Sequence, residues 1–144
     1  MLRLCLLVLV TSTLVAVEGR SPQKMLGHFV DLLEQDRSAD AYSFLLAGSA
    51  GISAAERVDL IDSHVGLARR FGALRRLAPI CQVEITKGIE QHQVALVYER
   101  GGVYLTVDFI RNGRGWLVQS LQTTTDLMTL EAQRYDLPKR RSAP

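Results

Sequence analysis

The chain has 144 residues, 47% of them hydrophobic, and a formal net charge of +2. That length suits one domain around one core. So slight a positive excess gives no argument for a nucleic-acid partner.

Residues 1–19 read as a secretory signal. Arg3 supplies the positive start, residues 4–17 are apolar apart from Thr and Ser, and the run breaks at Glu18-Gly19-Arg20. The apolar stretch falls short of the ~20 residues that a membrane-spanning helix needs. A cleaved peptide, cut near Gly19-Arg20, is therefore expected, with an uncleaved tether as the alternative. The mature protein would be periplasmic or extracellular. Cleavage leaves Cys81 as the only cysteine, so no intrachain disulfide is expected. Alternation of Cys81, Val83 and Ile85 with polar residues suggests a buried, inert thiol rather than a reactive one.

Ser21-Pro22 starts a first helix, with a cap residue followed by proline at the first helical position. Met25, Leu26, Phe29, Val30, Leu32 and Leu33 fall on its buried arc, and His28 and Asp31 on its solvated one. Ser38 opens a short second helix that buries Ala41, Tyr42, Phe44 and Leu45. Ser53 and Glu56 fit a capping box for a third helix, which runs to about residue 70 and conceivably to residue 76. His64 interrupts the apolar arc of that helix. It is either a packed histidine bonded to a backbone carbonyl or part of a pocket between helices and sheet.

Pro79 ends the helical half, and the hydrophobic period changes from 3.6 to 2. Residues 80–87 form one strand and 88–91 a turn. Three strands follow in a meander, about 92–100, 103–111 and 114–124, with tight turns at Gly101-Gly102 and Asn112-Gly113. That register places Val94, Leu96, Tyr98, Val103, Leu105, Val107, Phe109, Trp116 and Val118 on the helix-facing side. Tyr104, Thr106, Asp108, Leu117, Gln119 and Leu121 fall on the other side. Residues 126–144 read as a short amphipathic segment and a basic, disordered tail, so the domain proper spans 20–125.

This order of a long, a short and a third helix, then a bent meander ending near "GWLVQSL", resembles the nuclear transport factor 2-like, or cystatin-like, superfamily. The resemblance implies an α+β cone, with the N-terminal helices on the concave face of a bent antiparallel sheet of about four strands wrapping the third helix. A pocket often opens at the cone's mouth, and many relatives dimerise through the outer sheet face. The superfamily includes enzymes and non-catalytic modules, so fold alone decides nothing about activity.

Its isomerases and dehydratases need an inward carboxylate or histidine base facing a hydrogen-bond donor. The helix-facing polar residues here are Tyr98, Ser120 and Gln122, joined by His64 if it lines a pocket. Asp108 and Glu84 point away, and no acid–base pair emerges. The three histidines lie on different elements without zinc spacings, and no phosphate loop is present. The expectation is an exported, non-catalytic binding domain without a cofactor or metal. Its expected pocket for a small apolar ligand combines His64, Tyr98, Trp116 and Ser120. Its expected homodimer face combines Tyr104, Thr106, Leu117, Gln119 and Leu121. An isomerase or hydro-lyase using the pocket near His64 and Tyr98 is the alternative. Lys139, Arg140 and Arg141 are worth ~1 kcal/mol each near an anionic surface, too little for firm membrane attachment.

Overall fold

A computed structural model describes residues 20–132. The proposed signal (1–19) and the basic tail beyond residue 132 lie outside the described residues. Helices α1 (Pro22–Glu34), α2 (Ser38–Leu45) and α3 (Ala54–Phe71) precede strands β1 (Leu74–Thr86), β2 (Ile89–Tyr98), β3 (Gly101–Asn112) and β4 (Gly115–Thr124), and α4 (Leu127–Ala132) follows. The four strands form one antiparallel sheet in chain order, β1-β2-β3-β4. This is the α+β arrangement expected, three helices followed by an open four-stranded antiparallel sheet.

Helix starts follow their caps. Ser21 Oγ accepts from Lys24 N–H, with Pro22 at the first helical position. Ser53 and Glu56 satisfy each other's backbone amides at 3.2 and 2.7 Å, closing the capping box. The core is built chiefly by α1, whose Met25, Leu26, Phe29, Val30, Leu32 and Leu33 pack against Leu96, Leu105, Val107 and Phe109. α3 is more peripheral than the cone expectation implied. Its sole fully buried residue is His64, and Val58 is 56% exposed.

α3 ends at Phe71, and Leu74 opens β1, so the helix does not run on to residue 76 and Pro79 sits inside a strand. β1 is an edge strand interrupted by an irregularity between Pro79 and Cys81, where a missing N–H costs little. Gly72 makes the abrupt exit possible, with φ 89° and ψ −156°, a region that only glycine occupies freely. A methyl group there would also meet the Glu99 side chain. Gly72→Ala is expected to cost about 1–3 kcal/mol, measurable as a lower urea midpoint at unchanged slope. A wild-type midpoint would count against this exit geometry.

Both hairpin turns are displaced from their sequence positions. The first lies at Glu99-Arg100, because Glu99 N–H and Arg100 N–H bond to the carbonyls of Ala73 and Phe71, and Arg75 pairs with Glu99. Gly101 belongs to the strand, where a Cβ would lie 2.7 Å from the Phe71 ring. Leu96 therefore pairs with Val103 rather than Val107. The slip is even, so the inward residues of β2 and β3 remain as expected. At the second turn Asn112 Oδ1 accepts from Arg114 N–H at 3.0 Å, and Asn112 pairs with Gly115.

β4 departs further. A bulge opposite Asp108 and Phe109 leaves Gln119 without a strand partner, and beyond it the faces exchange. Leu121 turns into the core at 9% exposure, and Ser120 turns out beside Asp108. The outer face also carries α4. Leu130 is 1% exposed, and its carbonyl accepts from Gln93 Nε2 at 3.2 Å.

Candidate functional site

Three polar side chains meet inside the molecule. His64 comes from the middle of α3, Tyr42 from α2 and Tyr98 from the end of β2. Tyr42 Oη lies 3.1 Å from His64 Nδ1, and Tyr98 Oη lies 2.8 Å from His64 Nε2. Edge-on rings extend the group, Phe29 to Tyr42 at 5.2 Å and Tyr42 to His64 at 5.5 Å between centroids. Helical periodicity alone puts Tyr42 on the buried arc of α2, and its partner could not be read from that arc.

Burial sets the charge state. Desolvation pushes His64 down to about 4, so the imidazole is neutral at pH 7. Desolvation pushes Tyr98 up to about 12, and raises Tyr42 further with the aid of nearby Tyr98. A neutral imidazole has one donor and one acceptor nitrogen. One tyrosine therefore donates to the ring and the other accepts from it. When Nε2–H donates to Tyr98, the Tyr98 O–H is left to donate elsewhere.

His64 and Tyr98 line a cleft of about 380 Å³ with Leu33, Asp36, Arg69 and Leu74. Trp116 is not part of it. Trp116 pairs with Arg111 at the far end of β3 from Tyr98 and lines a separate groove of about 280 Å³ with Ser21 and Arg114. Ser120 is absent as well. The bulge sends it to the outer face, where its hydroxyl donates to Asp108 Oδ2 at 2.6 Å and Gln91 donates to Oδ1 at 2.9 Å. The four-residue pocket thus reduces to His64 and Tyr98, joined by Tyr42.

An inward carboxylate does exist. Glu90, assigned from sequence to a turn, belongs to β2, and its Oε2 lies 2.9 Å from His92 Nε2. His92 is 4% exposed and packs edge-on against Phe109. Gln82 donates to the same carboxylate oxygen at 3.2 Å, and Gln23 donates to Gln82 at 3.0 Å. His92 borders a cleft of about 490 Å³ that Leu26, Leu77, Pro79, Ile80 and Cys81 also line. The i,i+2 spacing of Glu90 and His92 was the available signal, hidden by starting the strand three residues late. Cys81 is half-buried rather than sequestered. Among the described residues no cluster of His, Cys, Asp or Glu could hold a metal ion.

The expected pairing face does not form as one patch. Leu121 is in the core and Thr106 is 3% exposed. Leu117 and Gln119 have the α2–α3 loop against them, at Gly48 and Gly51, where a side-chain carbon would strike them. Tyr104 and Leu117 keep half-exposed positions, and Gln119 is exposed.

No protein-family model matches the chain, and no curated protein shows similarity to it. Two solved structures do share its fold. One, from Campylobacter jejuni and described as an NTF2-like transpeptidase, has a TM-score of 0.51 and 16% identity over 70% of this chain and 99% of its own. The other, from Thiobacillus denitrificans and described as a calcium/calmodulin-dependent protein kinase type II association domain, has a TM-score of 0.53 and 12% identity. It is matched over 95% of its length and 74% of this chain. The protein has the NTF2-like fold. At these identities the likeness extends to architecture alone.

Proposed function

We propose that the chain is an exported binding domain without catalytic activity, whose small ligand lodges in the cleft beside Tyr98 and His64. The observation that carries this reading is the saturation of His64. A general base needs a free lone pair within reach of substrate and a pKa near the working pH. His64 has a tyrosine at each nitrogen and a pKa driven down to about 4. Held in this way, the ring instead fixes the Tyr98 hydroxyl in advance of binding, which lowers the entropy a ligand must give up. Export rests on the signal-like character of residues 1–19.

Mass spectrometry of protein purified natively from its own host is expected to find a retained small molecule. Tyr98→Phe should lower that retention while costing only about 1 kcal/mol of stability, the worth of one hydrogen bond. Equal retention by wild type and variant would place the ligand elsewhere.

A small isomerase or hydro-lyase is the second reading, and the Glu90–His92 pair favours it. His92 Nε2–H donated to Glu90 leaves Nδ1 as an acceptor. Turnover lost in His92→Gln but kept in His64→Gln would favour this reading over the first.

A further inference from the structure

The walls of the His64–Tyr98 cleft carry two opposite charges that the fold does not use. Asp36 follows α1 with φ 57°, a left-handed conformation that glycine or asparagine enters at less cost. It stands beyond the C-terminal end of α1, where the helix dipole disfavours a carboxylate, and no basic residue lies in the last turn of that helix. No ion pair reaches it among the described residues. The adjacent Arg37 is engaged with Asp40 at 2.8 Å.

Arg69 stands on another wall. Arg70 lies over the Phe71 ring at 5.4 Å, Arg75 pairs with Glu99, and Arg100 donates to the Arg70 carbonyl at 3.1 Å. Arg69 has no such partner among the described residues. An unpaired carboxylate and an unpaired guanidinium thus border one cleft, which Tyr98, His64 and the apolar Leu33 and Leu74 also line.

We propose that this cleft takes a small zwitterion of the α-amino-acid type, its ammonium held by Asp36 and its carboxylate by Arg69 and Tyr98. The inference rests on the reading that the cleft beside Tyr98 is the ligand site, and names the class of ligand. A volume of about 380 Å³ accommodates a free amino acid with its side chain. Each charge-assisted contact contributes enough for removal of either ligand charge to weaken binding about tenfold or more.

The test is an NMR titration of the mature protein with the twenty free L-amino acids, their N-acetyl and carboxamide derivatives, and uncharged indole and octanol, following the Gly72 and Ala73 amides. At least one free amino acid should saturate these shifts, and its two derivatives should each bind about tenfold more weakly. Asp36→Asn should abolish discrimination against the N-acetyl form, and Arg69→Gln discrimination against the amide. Both residues are exposed, so the variants are expected to fold. Saturation by indole or octanol alone, unchanged in both variants, would overturn the zwitterion while leaving the cleft as the site. Shifts that no probe moves would overturn the zwitterion and count against the cleft itself.

Discussion

Leu121→Asp is expected to unfold the domain at room temperature. Leu121 lies beyond the β4 bulge at 9% exposure, within the core cluster and beside Ile52 of the α2–α3 loop and Leu60 of α3. An unpaired carboxylate in such surroundings costs several kcal/mol in desolvation, added to the lost apolar burial. Domains of this size have only about 5–15 kcal/mol in total. Circular dichroism with urea titration reads the outcome. A variant with the wild-type midpoint would mean that Leu121 faces outward, as a two-residue turn without a bulge predicts from sequence.

Acidification should give the second large effect. The folded-state pKa of His64, about 4, lies below the ordinary value of 6.5. Between these values the unfolded chain takes up a proton that the folded chain excludes. Stability from this group is therefore complete above pH 6.5, falls as pH drops toward 4, and levels off below it. The total loss is about 3 kcal/mol. Glu56 and Asp126, held low by hydrogen bonds from Ser53 and from Thr129 with Met128, act in the lower carboxylate range. His64→Ala should flatten the slope between pH 6.5 and 4.5. At pH 7 it should also cost about 2–4 kcal/mol, because a cavity opens and two buried hydroxyls lose their partner. An unaltered slope in the variant would assign the titration to another group.

Much of the fold was legible because its signals are local. Ser21-Pro22 and the Ser53/Glu56 box depend on residues within one turn of each other, and both form as read. The inward set from Val94 to Phe109 survived a misplaced turn because the slip was even. Ser120 and Leu121 did not survive, since one unpaired residue, Gln119, exchanges the faces and no nearby glycine or proline marks it. The turn at Glu99-Arg100 was illegible for a different reason. Its anchors, Phe71 and Ala73, lie far back in the chain, and the glycines that mimic a turn serve the approach of an aromatic ring.

The candidate site divides in the same way. Periodicity singled out His64 as a polar residue on an apolar arc. That it sits between Tyr42 and Tyr98 is a tertiary fact, since those residues are 22 and 34 positions away. Asp36 follows α1 and Arg69 lies in the last turn of α3, and only the tertiary fold sets these distant positions around one cleft.

The chain-order arrangement of the sheet bears on how the molecule assembles. Every strand pairs with the one before it, across turns of only two residues at Glu99-Arg100, Gly113-Arg114 and Lys87-Gly88. Closing such short loops costs little chain entropy, so hairpins can zip successively within microseconds to milliseconds. The remote contacts are those of α1 with the sheet, such as Gln23 with Gln82, 59 positions apart. Docking of the first helix is then the slow, entropy-limited event. Substitutions at Phe29 should retard refolding more than substitutions at the hairpin tips, and stopped-flow fluorescence of Trp116 would record the difference.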